Sequence, residues 1–367
     1  MSTIADVISV LEQIAPPSLA ADWDNSGLLI GDPAGSVRRI MTCLTVTPET
    51  AQEAVSNRTD LVVSHHPVMF RAIQRLTASK PEGRILLSLI RAGVAVYSPH
   101  TSFDNAPEGI NDSLGSALGL VDVKVLRRSA GNPQCKVVVF VPEDDLQRVS
   151  TALFQAGAGN IGCYSECSFR ASGMGTFKGS ITSHPTVGQA GRREEVKEWR
   201  LEAVAPVARI EAVTEAIRAS HSYEEPAFDF YHLVAVSRGV GEGRIGRLPE
   251  ITTLGTLARQ MKSVLRLDWL QMVGGADDRV ERIAIVCGAG GSLLGDAIRF
   301  RADLFVTGEL RFHDCLAAKA NNVGALLLGH YASERLGVES LARRLEASFP
   351  AVEVWPSKAE ADPIAMT

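Results

Sequence analysis

Apolar positions Ile4, Val7, Ile8 and Leu11 recur at helical spacing, and Ser2 or Thr3 stands where a cap belongs, so the chain is expected to open on a helix from Ile4 to Ile14. Short apolar runs then alternate with helical patterns as far as about residue 125. The runs Gly27 to Ile30, Ile40 to Val46, Leu61 to Ser64 and Val94 to Ser98 read as strands. Glu49 to Ser56, Arg84 to Arg91 and Ile110 to Leu118 read as helices. The same rhythm returns after Arg244. Val280 to Cys287, Asp303 to Thr307 and Ala325 to Leu328 are strand-like there, and Leu293 to Phe300, Phe312 to Ala320 and Glu334 to Ala347 helix-like. Alternation of this kind predicts α/β layers.

Between the two segments the texture changes. A strand pattern from Lys136 to Val141 leads into a Pro-Glu-Asp-Asp helix start, and a Gly-rich stretch runs from Gly157 to Gly179. A strand from Val196 to Val204 precedes Pro206, which is placed to open a helix through Ala219, and Phe228 to Val236 reads as a closing strand. Two successive strand–helix–strand units give the order of a ferredoxin-like domain. The expected organisation is therefore a split outer α/β domain, residues 1–128 and 242–367, with an inserted ferredoxin-like α+β domain over 129–241.

The outer segments resemble each other. Asp60-Leu-Val-Val-Ser-His-His parallels Asp303-Leu-Phe-Val-Thr-Gly-Glu, and Val94-Ala-Val-Tyr-Ser-Pro-His100 parallels Ala325-Leu-Leu-Leu-Gly-His330. In each half the histidine is followed four residues on by an acid, Asp104 or Glu334. Two related halves facing one site would explain this.

Composition changes the picture little. Net charge is −5 over 367 residues, with 46% hydrophobic and 22% charged positions, so composition points to no nucleic-acid partner. No uninterrupted apolar run approaches the ~20 residues of a membrane span, and the N-terminus lacks a basic targeting start, so a cytoplasmic location is expected. The six cysteines form no CxxC pair. Cys163 and Cys167 raise a metal question, but with no second pair nearby a buried or incidental role is favoured.

Candidate chemistry collects at strand ends, where open α/β sheets place ligands. His65 and His66 follow Leu-Val-Val-Ser, and two adjacent imidazoles leaving a strand can splay toward two ions. A buried histidine beside an exposed one would leave the same dipeptide. His330 and Glu334 follow Leu-Leu-Leu-Gly, with a helix expected to begin near Ala332 or Ser333. Ser333 as a cap, with Glu334 favoured by the helix dipole, is the plainer account of that pair. Asp104 supplies the acid of the first half, or marks a turn before Pro107. Of the eight histidines in the chain, four fall at these strand ends with two acids. Nitrogen and oxygen donors alone suit zinc, manganese or iron. Five such donors exceed one tetrahedral structural site and favour two ions, with Glu334 as the bridge. His100 and Glu309 are placed to orient ligands from behind, and His313, four residues past Glu309, to act as acid or base with Glu334. Gly288-Ala-Gly-Gly-Ser, after a strand, could receive an anion or simply form a tight turn.

At these residues the chain resembles the GTP cyclohydrolase 1 type 2 family, also called NIF-three-like. The carriers are Trp23-Asp-Asn-Ser-Gly-Leu, Ser64-His-His-Pro, His100-Thr-Ser-Phe-Asp-Asn, Thr307-Gly-Glu-Leu-Arg-Phe-His-Asp and Gly329-His-Tyr-Ala-Ser-Glu. The resemblance implies a dinuclear metal centre held by His65, His66, Asp104, His330 and Glu334, in a toroidal homohexamer. Through Gly157-Ala-Gly-Asn-Ile-Gly-Cys-Tyr, Cys167-Ser-Phe-Arg and His221-Ser-Tyr-Glu-Glu-Pro-Ala-Phe-Asp, the insertion is similar to the PII and CutA proteins. It would serve as a trimerisation module or a ligand sensor. His221, Glu224 and Glu225 are either a further metal set or salt-bridging groups. The function implied is hydrolysis of a nucleotide or related small molecule. The alternative is a non-enzymatic metal-responsive regulator, chaperone or scaffold.

Overall fold

The computed structural model describes residues 2–128, 133–162, 164–234 and 239–365. It divides into two compact units, Met1–Ser129 with Ser237–Thr367, and Ala130–Val236. Gly241, assigned from sequence to the insertion, instead opens the strand Gly241–Thr253, which is hydrogen-bonded on both sides within the first unit.

In the first unit the helix Ile4–Ile14 starts at Thr3, whose hydroxyl accepts from Asp6 N while the Asp6 carboxylate accepts from Thr3 N. That reciprocal box satisfies two of the four donors a helix start leaves open. Its buried face is Ile4, Val7, Leu11 and Ile14.

A five-stranded sheet follows in the order Glu353–Pro356, Arg39–Cys43, Leu61–Ser64, Ala95–Ser98, Gly27–Ile30. Its first four strands are parallel and Gly27–Ile30 is antiparallel at the edge. A six-stranded sheet is ordered Gln271–Val273, Gly324–Leu327, Leu304–Glu309, Arg279–Ala289, Gly241–Thr253, Val121–Arg128. Its parallel centre comprises Arg279–Ala289, Leu304–Glu309 and Gly324–Leu327, again with an antiparallel strand, Gln271–Val273, beside the third.

The two halves repeat in their bonding as well as their order. Asp60 Oδ2 accepts from the backbone N–H groups of Arg38 and Arg39 at 2.8 and 2.9 Å. Asp303 Oδ2 accepts from Glu281 and Arg282 at 3.0 and 2.8 Å. Arg39 donates to the Asn57 carbonyl, and Arg282 to that of Phe300. The Asp-Leu pair that begins each central strand therefore ties it to its neighbour in one way in both halves.

The helix His330–Ser348 packs on strands of both sheets and on the helix Ile110–Ala117. The helices approach so closely that a Cβ on Gly337 would lie 2.3 Å from Ile110 Cγ1. Leu341 and Leu345 join the core with Ile40, Leu61, Val63 and Tyr97, whereas Leu114 and Leu118 join Ile283, Ile285, Leu304 and Val306. This arrangement holds the carboxyl ends of both parallel centres around the start of one helix.

The second unit is a four-stranded antiparallel sheet ordered Phe228–His232, Gln134–Pro142, Arg193–Pro206, Ser168–Lys178. Helices Leu146–Gln155 and Ile210–Ser220 are its crossovers, so the unit is ferredoxin-like, as the strand–helix order predicts. The strand Ser168–Lys178 falls where only a Gly-rich stretch was legible. Cys163 and the end of the expected strand through Val236 lie outside the described residues. Both ring nitrogens of His221 are engaged, Nε2 with the Phe140 carbonyl and Nδ1 with Tyr223 N, so this histidine is a structural pin and not a free ligand. Among the described residues no helix is long and apolar enough to cross a membrane.

Candidate metal centre

Each half delivers a histidine just past a parallel strand and an acid one helical turn later. His65 and His66 leave the strand Leu61–Ser64 with their N–H groups bonded to the Cys43 and Leu44 carbonyls, so the ladder continues through them. Ser98 and Ser64 hydroxyls donate to the His65 and His66 carbonyls at 2.7 and 2.8 Å, fixing the turn. His100 begins the short helix His100–Asn105 with φ +32, a left-handed value that L-residues adopt at a cost of about 1–3 kcal/mol. Asp104 lies four residues on. In the second half Gly329, at φ +88, precedes the helix His330–Ser348, which begins at His330 and not at Ala332 or Ser333. His330 and Glu334 are therefore on one helical face, four residues apart.

These side chains converge. Glu334 Oε2 stands 3.2 Å from Nε2 of both His66 and His330, and His65 Nε2 is 3.4 Å from Asp104 Oδ1. His65 and His66 rings are 5.1 Å apart, and His66 is 5.4 Å from His330. Two groups of side chains can each bring ligand atoms within 4.8 Å of one another: His65, His66 and His100, and His66, His330 and Glu334. The five residues singled out from sequence thus meet, and His100 stands among them instead of behind them.

Three of the four imidazoles are turned inward by a partner on Nδ1. Thr45 Oγ1 holds His66 at 2.8 Å, Asp24 Oδ1 holds His100 at 2.6 Å, and Glu309 Oε1 holds His330 at 3.3 Å. Orienting the far nitrogen leaves Nε2 toward the centre, the usual arrangement behind metal-bound imidazoles. Glu309 therefore occupies the orienting position expected of it. Asp24 and Thr45 were missed, although Asp24 lies in the quoted Trp-Asp-Asn motif. His313 does not join the cluster: it is exposed on the helix Phe312–Ala320 with its ring beside Phe312. That helix begins after Arg311, so the four-residue spacing from Glu309 does not describe one helical face.

Electrostatics follow from burial and proximity. Burial drives the His65 imidazole down to about 3, which keeps it neutral. Burial, then the charge of Glu334, raises the Asp104 carboxyl to about 8, although 31% of its side chain is open to solvent. Contact with Glu334 raises His330 to about 9. Burial would also raise Glu334, but the imidazoles of His330 and His66 outweigh it and hold the carboxyl well below the ordinary range. Burial likewise opposes charge on His100, and its bond to Asp24 overcomes that.

The donor set fits a cation. His65 Nδ1 is buried without a hydrogen-bond partner, and the buried Glu334 Oε2 faces two imidazole nitrogens at 3.2 Å without good hydrogen-bond geometry to either, an arrangement a cation between them would satisfy. Gly288, at φ +67, brings backbone against this carboxylate, and a Cβ there would lie 2.3 Å from Glu334 Oε1. The glycine-rich turn thus serves close approach to the cluster.

The fold and site define an internally repeated α/β protein with a histidine–carboxylate cluster able to hold metal. The chain belongs to the Duf34/NIF3 (NGG1p interacting factor 3) family, whose model matches residues 2–363. It is 36% identical over 339 residues to the GTP cyclohydrolase 1 type 2 homolog of Bacillus subtilis, covering 92% of this chain and 91% of that one. The homolog of the same name in Mycobacterium tuberculosis is 37% identical over 352 residues, covering 95% and 92%. Among solved structures, a Bacillus cereus protein related to NIF3 matches with a TM-score of 0.69 and 32% identity, covering 100% of this chain and 99% of that one. A Staphylococcus aureus protein matches with a TM-score of 0.76 and 28% identity over the same shares.

Proposed function

We propose that this chain is a dinuclear metal-dependent hydrolase of a nucleotide or related small molecule. The observation that carries this reading is the convergence of His66 and His330 Nε2 on the buried Glu334 Oε2, each at 3.2 Å. His65, His66, Asp104, His330 and Glu334 would hold the pair, with Glu334 as the shared carboxylate. Bound there, two zinc, manganese or iron ions supply Lewis-acid chemistry for hydrolysis. His100, turned inward by Asp24 and outside the five, would hold and pass a proton at Nε2 where no cation takes that atom, the role expected from sequence of His313. The names of the curated relatives support a nucleotide as substrate.

The test compares metal-loaded parent, Glu334→Ala and His66→Ala against nucleotides, phosphodiesters and modified-base compounds. Turnover by the parent alone is expected. Activity surviving in both variants places the reaction elsewhere.

Metal uptake is expected to release protons, because Asp104 and His330 carry theirs at neutral pH when no cation is bound. Apparent affinity therefore rises with pH and levels off above about 9. Calorimetry in buffers of different ionisation enthalpy counts the protons, and a count of zero refutes the assignment.

A homohexamer in the cytoplasm completes the proposal. Sedimentation equilibrium returning the mass of one chain, 39.3 kDa, contradicts it. A non-enzymatic, metal-responsive scaffold is the second reading. It is favoured by Phe169, Met174 and Ile181, which the second unit exposes as a docking surface would.

A further inference from the structure

Two large aromatic side chains stand exposed beside the histidine cluster. Trp23 is 63% and Phe70 49% exposed, values unusual for residues whose burial normally contributes most to a core. Their ring centroids are 5.9 Å apart, and each also meets His100, at 6.1 Å for Trp23 and 6.4 Å for Phe70. The pair therefore borders the same imidazole that faces His65 and His66.

The backbone beneath Trp23 is fastened on both sides. Asp24 binds His100 Nδ1 and accepts from Thr101 N and Oγ1, while Ala21 N donates to Thr101 Oγ1. Asn25 Nδ2 donates to the Met69 carbonyl, tying the Trp23 loop to the segment that carries Phe70. The indole is thus held out to solvent by a braced loop, beside a centre of nitrogen and oxygen donors.

We infer that Trp23 and Phe70 form a stacking subsite for a planar heteroaromatic ring, such as a nucleobase, whose remaining atoms reach the His65–Glu334 centre. Stacking on an indole suits any π-face and needs no hydrogen-bond code, so it selects rings over sugars and alkyl groups. This rests on the hydrolase reading above and adds to it how the ring is recognised.

The test uses the full-length, metal-loaded protein with guanosine 5′-monophosphate and ribose 5-phosphate as probes. Binding is measured by calorimetry for the parent, Trp23→Phe, Trp23→Ala and Phe70→Ala, with metal content and assembly mass measured on the same samples. The parent is expected to bind the nucleotide more tightly than the sugar phosphate. Trp23→Ala should lose about tenfold or more for the nucleotide and nothing for the sugar phosphate, with Trp23→Phe retaining most of the affinity. Should Trp23→Ala shed metal, Phe70→Ala carries the comparison. Equal nucleotide affinity in parent and both alanine variants overturns the inference while leaving the metal centre standing. So does a parent that keeps its metal but binds both probes equally. If Trp23→Ala lowers the assembly mass with nucleotide affinity unchanged, the rings belong to an interface between copies and the inference fails. A parent that holds no metal sinks the hydrolase reading separately, whatever the nucleotide binding shows.

Discussion

Glu334→Ala is expected to empty the centre. Its carboxylate is the only acid within 3.2 Å of both His66 and His330 Nε2 among the described residues. Removing an outer orienting partner of a metal site typically costs ~10–100-fold in affinity, and removing a carboxylate that faces two candidate ligands should cost more. Competition with a chelator of known affinity reads the loss directly. The metal-free protein should respond too. His330, raised from 6.5 to about 9, contributes stability that is fully present below 6.5 and lost as pH rises through about 9. Glu334, lowered from 4.5, contributes above 4.5 and loses that contribution as pH falls. Glu334→Gln should therefore destabilise the metal-free protein within that window, from about pH 4.5 to 9, and the His330 titration should move down from about 9. Thermal unfolding against pH, with an NMR titration of the imidazole, checks both. An unmoved His330 titration would show that Glu334 is not what raises it.

Gly288→Ala should have the second-largest effect, although it removes no candidate ligand. At φ +67 an L-residue pays roughly 1–2 kcal/mol in backbone energy. The added Cβ would also stand 2.3 Å from Glu334 Oε1 and 3.3 Å from His330 Cε1. Glu334 is buried between two imidazoles, so retreat means leaving one of them. Metal affinity is expected to fall on the order of 10–100-fold, as when an orienting contact is lost. Gly119→Ala is the control, since Gly119 has φ +70 and a Cβ there would find nothing within 4 Å. It should show the backbone cost alone and full metal affinity. If the two variants bind metal equally well, the close approach of Gly288 is incidental.

Much of this was legible where local physics decides. The helix Ile4–Ile14 and the strand Leu61–Ser64 have the bounds that periodicity and caps predict. Ser168–Lys178 was not legible because it is largely exposed and rich in glycine and serine, and its pairing with Arg193–Pro206 lies far along the chain. The helix His100–Asn105 reads as a turn because Asp-Asn stands just before Pro107 and because its first residue, His100, has φ +32, which no local sequence rule announces. At the second helix Ser333 has the credentials of a cap, yet its hydroxyl accepts from Gly288 N and donates to the His330 carbonyl. The helix starts instead after Gly329, which has no side chain with which to announce it.

The convergence of five candidate ligands was readable because strand ends repeat in the two halves. Their orienting partners were not. Asp24 reaches His100 across 76 positions and Thr45 reaches His66 across 21, distances over which no spacing rule operates.

Metal analysis of the protein as purified, without refolding or added metal, combined with X-ray absorption at the edge of whatever metal is found, bears most directly on the centre. Two ions per chain in a nitrogen and oxygen environment are expected. No bound metal, or a sulfur-ligated ion, would mean that His66, His330 and Glu334 come together for some other purpose.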